Sequence, residues 1–297
     1  MNAPINQGKP DWLKIIHNPT EKYKEIKDTL SDLGINTLCS ETRCPNIHQC
    51  WGKNNIVITI MGNTCTRACN DCTPGHPDKL DEYEVDKIVH SLRKLDIEYV
   101  TLNCIKRDDL RYMGAPYVAE CIKKIKEELP WMVVETIIPD FKGEKEAVGM
   151  VVNSKPDVIT HNIETVKSLH KEIKDPRSDF DKAISVLKTI KELDDNIYTK
   201  SMIMLGLGET KEEVVKAMQS LRGAKVDILV LGQYLKPKEW HSDVKEYVHP
   251  LVFDYLKTVA LDMGFLHVES SPFARSSYMA GELFLKTIVK RNKKHGK

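Results

Sequence analysis

Ile56-Val57-Ile58-Thr59-Ile60-Met61-Gly62-Asn63-Thr64-Cys65-Thr66-Arg67-Ala68-Cys69-Asn70-Asp71-Cys72 is the stretch on which the fold is decided. Residues 56–61 are an apolar, β-branched run, and Gly62-Asn63-Thr64 closes it with turn formers. A short apolar run without polar alternation reads as a strand covered on both faces. Three cysteines follow at once, spaced C-x3-C-x2-C. Toward the C-terminus the pattern recurs: residues 98–104, 132–138, 157–163, 197–205 and 226–231 read as further strands rich in Val, Ile and Thr. Between them, residues 83–95, 117–129, 180–193 and 211–221 carry apolar side chains at helical spacing, as in Val85, Ile88, Val89 and Leu92. Thr210 with Glu213 three residues on predicts a capping box. Repeated strand–helix alternation predicts an α/β fold with a parallel sheet. Six such units suit an open barrel or a doubly wound sheet, and periodicity does not separate the two.

The ends of the chain differ from its middle. Residues 1–54 hold helical pieces and a cysteine-rich loop, and residues 55–263 hold the strand–helix units. Residues 264–297 hold one short apolar run, a polar segment and a terminal helix, so both outer parts read as extensions on one core. A chain of 297 residues buries enough apolar surface to fold without staples. With 44 Lys plus Arg against 43 Asp plus Glu, the net charge of +1 supplies no field for nucleic acid or an anionic membrane. The basic run Lys290-Arg291-Asn292-Lys293-Lys294 reads as a solvated terminus. No apolar stretch approaches the length of a membrane span, and residues 1–10 have neither a signal core nor the Arg-rich character of a mitochondrial leader. The expected location is the cytoplasm. There the eight cysteines are expected to be thiols, and tight thiol spacing points to metal or redox chemistry.

Six of those cysteines form two triplets, Cys39-x4-Cys44-x5-Cys50 and Cys65-x3-Cys69-x2-Cys72. Structural zinc takes four ligands, usually in C-x2-C pairs, and two triplets match it poorly. A cubane of four irons suits them better, since three thiolates take three corners. One iron is then left without a protein thiolate, and an open position on a metal is where a substrate binds. The second triplet also follows a strand directly, at the carboxyl edge where α/β folds carry their chemistry.

That second spacing resembles the signature of the radical S-adenosylmethionine (SAM) superfamily. Cys39-Ser40-Glu41-Thr42-Arg43-Cys44-Pro45-Asn46-Ile47-His48-Gln49-Cys50-Trp51-Gly52 resembles the N-terminal motif of the lipoyl synthase family, and Arg275-Ser276-Ser277-Tyr278 resembles its C-terminal one. Further strings agree: Ile138-Pro139-Asp140-Phe141-Lys142-Gly143, Pro156-Asp157-Val158-Ile159-Thr160-His161-Asn162-Ile163-Glu164-Thr165, Met204-Leu205-Gly206-Leu207-Gly208-Glu209 and Leu231-Gly232-Gln233-Tyr234-Leu235. The resemblance extends over about residues 36–286. It implies a partial (β/α)6 barrel of parallel strands with N- and C-terminal extensions. It implies two [4Fe–4S] clusters: one on Cys65, Cys69 and Cys72 that binds S-adenosyl-L-methionine, and an auxiliary one on Cys39, Cys44, Cys50 and Ser277, with Arg275 steering Ser277. The implied reaction removes hydrogen from C6 and C8 of a protein-bound octanoyl-lysine and inserts sulfur from the auxiliary cluster. The implied partners are an octanoylated carrier domain (2-oxoacid dehydrogenase E2 or the glycine cleavage H protein), a low-potential donor such as ferredoxin or flavodoxin, and an iron–sulfur carrier.

Beside the resemblance, residue chemistry nominates Asn162 and Glu164 for the SAM ribose or amine, and the Gly206–Gly208 turn for close backbone approach. Arg177 and Lys200 are candidates for a carboxylate. Asp71 stands where the family often has an aromatic residue, Met202 where it has glycine, and Ser271 where glycine precedes Pro272. Cys104 and Cys121 lie outside both triplets and read as packed thiols. Two rival readings remain: a sulfur-inserting paralogue with another acceptor, and a non-catalytic zinc-binding module.

Overall fold

Strand β1 (Ile56–Ile60) is buried at all five positions, because one face meets helices and the other lines the concave interior of the sheet. The computed structural model of the protein describes residues 8–14, 18–69, 77 and 79–278. Upstream of β1 lie α1 (Glu21–Asp32), α2 (Leu38–Glu41) and α3 (Ile47–Trp51). Downstream follow α4 (Glu84–Lys94), β2 (Tyr99–Cys104), α5 (Ala115–Glu128), β3 (Val133–Ile137), α6 (Lys145–Asn153) and β4 (Val158–Thr160). Then come α7 (His170–Ile173), α8 (Phe180–Leu193), β5 (Tyr198–Leu205), α9 (Lys211–Gly223), β6 (Ile228–Gln233), α10 (Pro250–Asp262) and β7 (His267–Ser270). The seven strands stand in chain order, and every neighbouring pair is parallel. Among the described residues β1 and β7 do not pair, so the sheet is an open, partial barrel.

The expected fold class holds, with additions. The capping box forms: Thr210 Oγ1 accepts from Glu213 N–H and the Glu213 carboxylate accepts from Thr210 N–H. β7 comes from the short apolar run left unassigned in the C-terminal part, and it joins the sheet beside β6. α6 and α10 are also additional. α6 is wedged between α5 and α8, so its sequence lacks the polar face that marks a surface helix. α10 keeps Leu251, Tyr255 and Leu261 exposed, which blurs its pattern.

Residues alternate between the two faces of each strand. Val100, Leu102, Val134 and Ile159 pack outward against α4, α5 and α6, while Ile203, Leu205, Leu229 and Leu231 pack against α8, α9 and α10. The inner face is layered. Tyr99, Val133, Val158 and Ile228 form an apolar floor with Tyr198. Two residues further along stand Thr101, Glu135, Thr160 and Lys200, all buried; Met202, two residues beyond Lys200, packs with its register partner Val230. The N-terminal segment covers the free edge of β1: Thr59 N–H donates to Asn36 O (2.9 Å), and Thr37 bridges antiparallel to Ile58. An edge strand covered in this way offers no template for a second chain.

Candidate active site

The loop after β1 is fixed before any cofactor arrives. Met61 takes a left-handed conformation (φ +70°) and Gly62 follows at φ +91°. The Glu84 carboxylate accepts from Met61 N–H (2.9 Å), and Arg107 Nη1 donates to Met61 O (2.8 Å). Cys65 and Cys69 are buried, and each sulfur accepts a backbone N–H: Arg67 N–H on Cys65 Sγ (3.4 Å) and Asp175 N–H on Cys69 Sγ (3.3 Å). Such bonds suit a thiolate that ligates iron, because they stabilise its charge. Cys72 and Asp71 lie outside the described residues.

Arg67 organises this loop. Its guanidinium is fully buried and forks onto two carboxylates, Asp108 (2.9 and 3.0 Å) and Asp140 (2.6 and 3.0 Å), and also reaches Ser178 Oγ (3.2 Å). Burial alone would push the Asp140 carboxyl up, but the bonds and charge of Arg67, with the charge of Lys106, hold it at about 2. Asp175 accepts from Ala68 N–H (2.9 Å) and pairs with Arg177, which keeps its carboxyl far below the usual range. Arg177 also donates to Thr66 O (2.9 Å). The loops after β1, β2 and β3 and the segment before α8 are therefore tied at one point around the cysteines. Arg67 and Asp140 stand in the strings quoted above with no role given to them, and Asp108 and Asp175 are not among the nominated residues. Their signal was available: Asp108 and Asp140 each stand just past the carboxyl end of a strand.

The N-terminal triplet meets the C-terminal segment. Cys39 lies on α2, Cys50 on α3, and Cys44 between them. Asn46 Nδ2 donates to Phe273 O (2.8 Å), and Tyr278 Oη donates to Gln49 Oε1 (3.1 Å). Burial pushes the Cys44 thiol up, opposed by a backbone N–H from Asn46 and the positive charge of Arg275. Arg275 is pinned by its own bond to Ala274 O (2.7 Å). Ser277 Oγ is buried and has no hydrogen-bond partner among the described residues. A buried hydroxyl without a partner is costly unless something else uses its oxygen. None of the seven described cysteines is in a disulfide. Among the described residues no three His, Cys, Asp or Glu side chains converge on a point one ion would fill, whereas a cubane spreads its thiolates over separate irons.

The remaining nominated residues fall in different places. Asn162 Nδ2 donates to Ser276 Oγ (2.8 Å), while its Oδ1 is buried without a partner. Glu164 is left-handed (φ +65°) and locked between Met202 O and Met204 N–H of β5. Lys200 is spent on Glu135 (2.6 Å), which also accepts from Tyr99 Oη and Thr160 Oγ1. This buried pair lies one layer below Met202, so Lys200 does not face an open site, whereas Arg177 is half exposed and paired with Asp175. Cys104 points to the helices, bonded to Thr136, and burial pushes its thiol up to about 12. Cys121 is likewise fully buried. Ser271 donates its N–H to Leu231 O (3.1 Å).

Gly206 and Gly208 belong to a turn whose N–H groups are capped by Glu209 (2.5 Å to Gly206, 3.0 Å to Leu207). At Gly206 (φ +99°) a Cβ would stand 2.3 Å from Glu246 O and 2.2 Å from Gln233 Nε2. Gly206→Ala is expected to destabilise the protein by about 2–4 kcal/mol, combining backbone strain with overlap. Gly208→Ala, whose Cβ meets only Lys245 (3.6 Å to Cγ), carries the backbone strain of φ +113° without the overlap and should cost less, about 1–2 kcal/mol. Anaerobic urea melts of the two variants measure the difference.

His161, at the end of β4, is buried with Nδ1 bonded to Ile138 O (2.9 Å). Burial lowers its pKa to about 4. The folded state therefore resists a proton that the unfolded chain accepts from about pH 6.5 downward. Stability from neutral His161 is full above that pH and is lost as pH falls toward 4, by about 3 kcal/mol in all. Urea melts between pH 4 and 7 should show this slope, and His161→Asn should flatten it.

Comparison with known proteins adds an independent line. Residues 59–221 match the Radical SAM superfamily. The chain is 43% identical over 276 residues to a lipoyl synthase of Caldicellulosiruptor saccharolyticus, covering 92% of this chain and 96% of that one. It is 42% identical over 292 residues to the mitochondrial lipoyl synthase of Rattus norvegicus, covering 96% of this chain and 78% of that one. Among solved structures, methylornithine synthase superposes with a TM-score of 0.56 at 14% identity, covering 86% of this chain and 83% of that one, a likeness of fold alone.

Proposed function

The chain belongs to the lipoyl synthase family within the radical SAM superfamily, and from that premise we propose that it converts a protein-bound octanoyl-lysine to lipoyl-lysine. The observation that carries this reading is Ser277 Oγ, buried and unpartnered on a segment docked against the cysteine triplet of α2 and α3. The donor set fits the two groups the family implies. Cys65, Cys69 and Cys72 would hold the SAM cluster, and Cys39, Cys44, Cys50 and Ser277 the auxiliary cluster. When bound, the SAM cluster and SAM supply a 5′-deoxyadenosyl radical that takes hydrogen from an unactivated carbon.

This chain's residues do the rest. Arg67, Asp108 and Asp140 hold the loop between Cys65 and Cys69 in one orientation, and Asp175 fixes the backbone N–H on Cys69. The apolar floor and the saturated Glu135–Lys200 pair close the narrow end of the barrel and keep water from the interior. Asn162 Oδ1 is left as an acceptor for SAM. Ser277 would give the auxiliary cluster an oxygen ligand, which matches this soft-ligand site less well than a thiolate, and that cluster would supply the sulfur. Arg275 keeps positive charge beside Cys44. The substrate is a lipoyl-carrier domain, of a 2-oxoacid dehydrogenase E2 or the glycine cleavage H protein. A low-potential donor such as ferredoxin or flavodoxin supplies electrons, and an iron–sulfur carrier rebuilds the consumed cluster. Among the described residues no helix is long and apolar enough to cross a membrane. Cysteines used as cluster ligands rather than in disulfides suit a reducing compartment, for which the cytoplasm is the natural choice. Anaerobic reconstitution should give two clusters' worth of iron and sulfide per chain. One cluster's worth, or zinc in a colourless protein, would overturn the reading.

A further inference from the structure

The segment after β7 crosses the mouth of the barrel and is fastened at both ends. Ser271 N–H donates to Leu231 O, Gln233 N–H donates to Pro272 O (3.3 Å), and Tyr278 Oη reaches Gln49. Between these points the chain is gripped from the inner face of the sheet. Asn162 Nδ2 donates to Ser276 Oγ (2.8 Å), and Ser276 Oγ donates to Met202 Sδ (3.4 Å). Met202 packs with Val230 and fully buried Ala274. At Gly232 a Cβ would stand 2.1 Å from Ala274 O and 2.9 Å from Met202 Cε, so β6, Met202 and the crossing segment are in the closest contact available.

We propose that Asn162 and Met202 hold Ser276, and that Ser276 is the positioning residue that sets where Ser277 stands against Cys39, Cys44 and Cys50. The proposal rests on the reading of Ser277 as an oxygen ligand of the auxiliary cluster. Its physical basis is simple. A weak ligand that must come off and return stays effective only if its backbone is kept in place while it is off, since proximity supplies what bond strength does not. Ser277 Oγ has no protein partner to orient it, so its neighbour does so.

The test uses the full two-cluster protein, anaerobically reconstituted, as wild type, Ser276→Ala, Met202→Leu and Ser277→Ala. Met202→Leu refills the volume but cannot accept the Ser276 proton, so it separates a lost grip from a collapsed barrel. Mössbauer spectra read the oxygen-ligated iron, a chelator reads iron release, and the EPR signal of the reduced SAM cluster is the internal reference. Ser276→Ala and Met202→Leu are both expected to weaken the oxygen-ligated iron subspectrum and to speed release of auxiliary-cluster iron, Met202→Leu about fivefold, the factor for one hydrogen bond of ~1 kcal/mol, and Ser276→Ala, which loses two, by more than that. The SAM-cluster signal should not change. Wild-type spectra and release rates in both variants would overturn the proposal. A wild-type spectrum in Ser277→Ala would instead overturn the ligand reading beneath it.

Discussion

Cys39→Ala is expected to abolish lipoyl product while SAM is still cleaved to 5′-deoxyadenosine in the presence of a strong reductant. Cys39 lies on α2, which is packed against β1, whereas Cys65 and Cys69 lie on the loop that follows that strand and have their own supports in Arg67 and Asp175. Losing Cys39 removes a ligand of the sulfur-donating cluster and leaves those supports untouched. The loss should exceed the roughly 10–100-fold that removing an outer-shell partner of a metal ligand costs. Liquid chromatography of deoxyadenosine alongside the mass of the peptide product separates the two halves of the reaction. Loss of both together would mean that the triplets are not independent sites.

Arg67→Met is expected to be the most destabilising single change in the site. It would leave Asp108 and Asp140, now sharing a poorly solvated space, without the guanidinium that both carboxylates face. Breaking a buried ion pair by removing one partner costs about 3–5 kcal/mol, because a charge stays behind uncompensated. At neutral pH the two carboxyls would respond by taking up a proton, so part of the lost stability should return as pH falls toward 5. This is opposite in sign to the wild type, in which Arg67 holds Asp140 ionised to about pH 2. Adding Asp140→Asn to Arg67→Met should restore part of the stability, a rescue that lost packing volume would not produce. Urea melts at pH 5 and pH 7.5 measure both effects, and the EPR signal of the SAM cluster should weaken along with stability.

Much of this architecture is legible in the sequence because it is written locally. The strand expected over 56–61 appears as Ile56–Ile60, and the helix expected over 180–193 has the same bounds in the structure. Where expectation and structure part, non-local contacts decide. The strand expected over 157–163 stops at Thr160, because Glu164 turns left-handed and the backbone between them leaves the ladder. β7 is four residues, His267-Val268-Glu269-Ser270, and becomes a strand only because β6 stands beside it. Both cysteine triplets are visible as spacings, but their supports are not. Arg67 meets Asp108 and Asp140 from loops 41 and 73 residues away, and Ser276 meets Asn162 across 114 residues. Lys200 was a candidate for a ligand carboxylate because its actual partner, Glu135, lies two strands away, whereas the partner of Arg177, Asp175, stands two residues from it in the sequence.

The most direct measurement of the central claim is the mass of an octanoyl-lysine peptide after anaerobic incubation with the reconstituted protein, SAM and a strong reductant. The account predicts a product in which two sulfurs replace two hydrogens, with the sulfur traceable by isotope to the protein's own auxiliary cluster. Deoxyadenosine formed while the peptide keeps its original mass would contradict it.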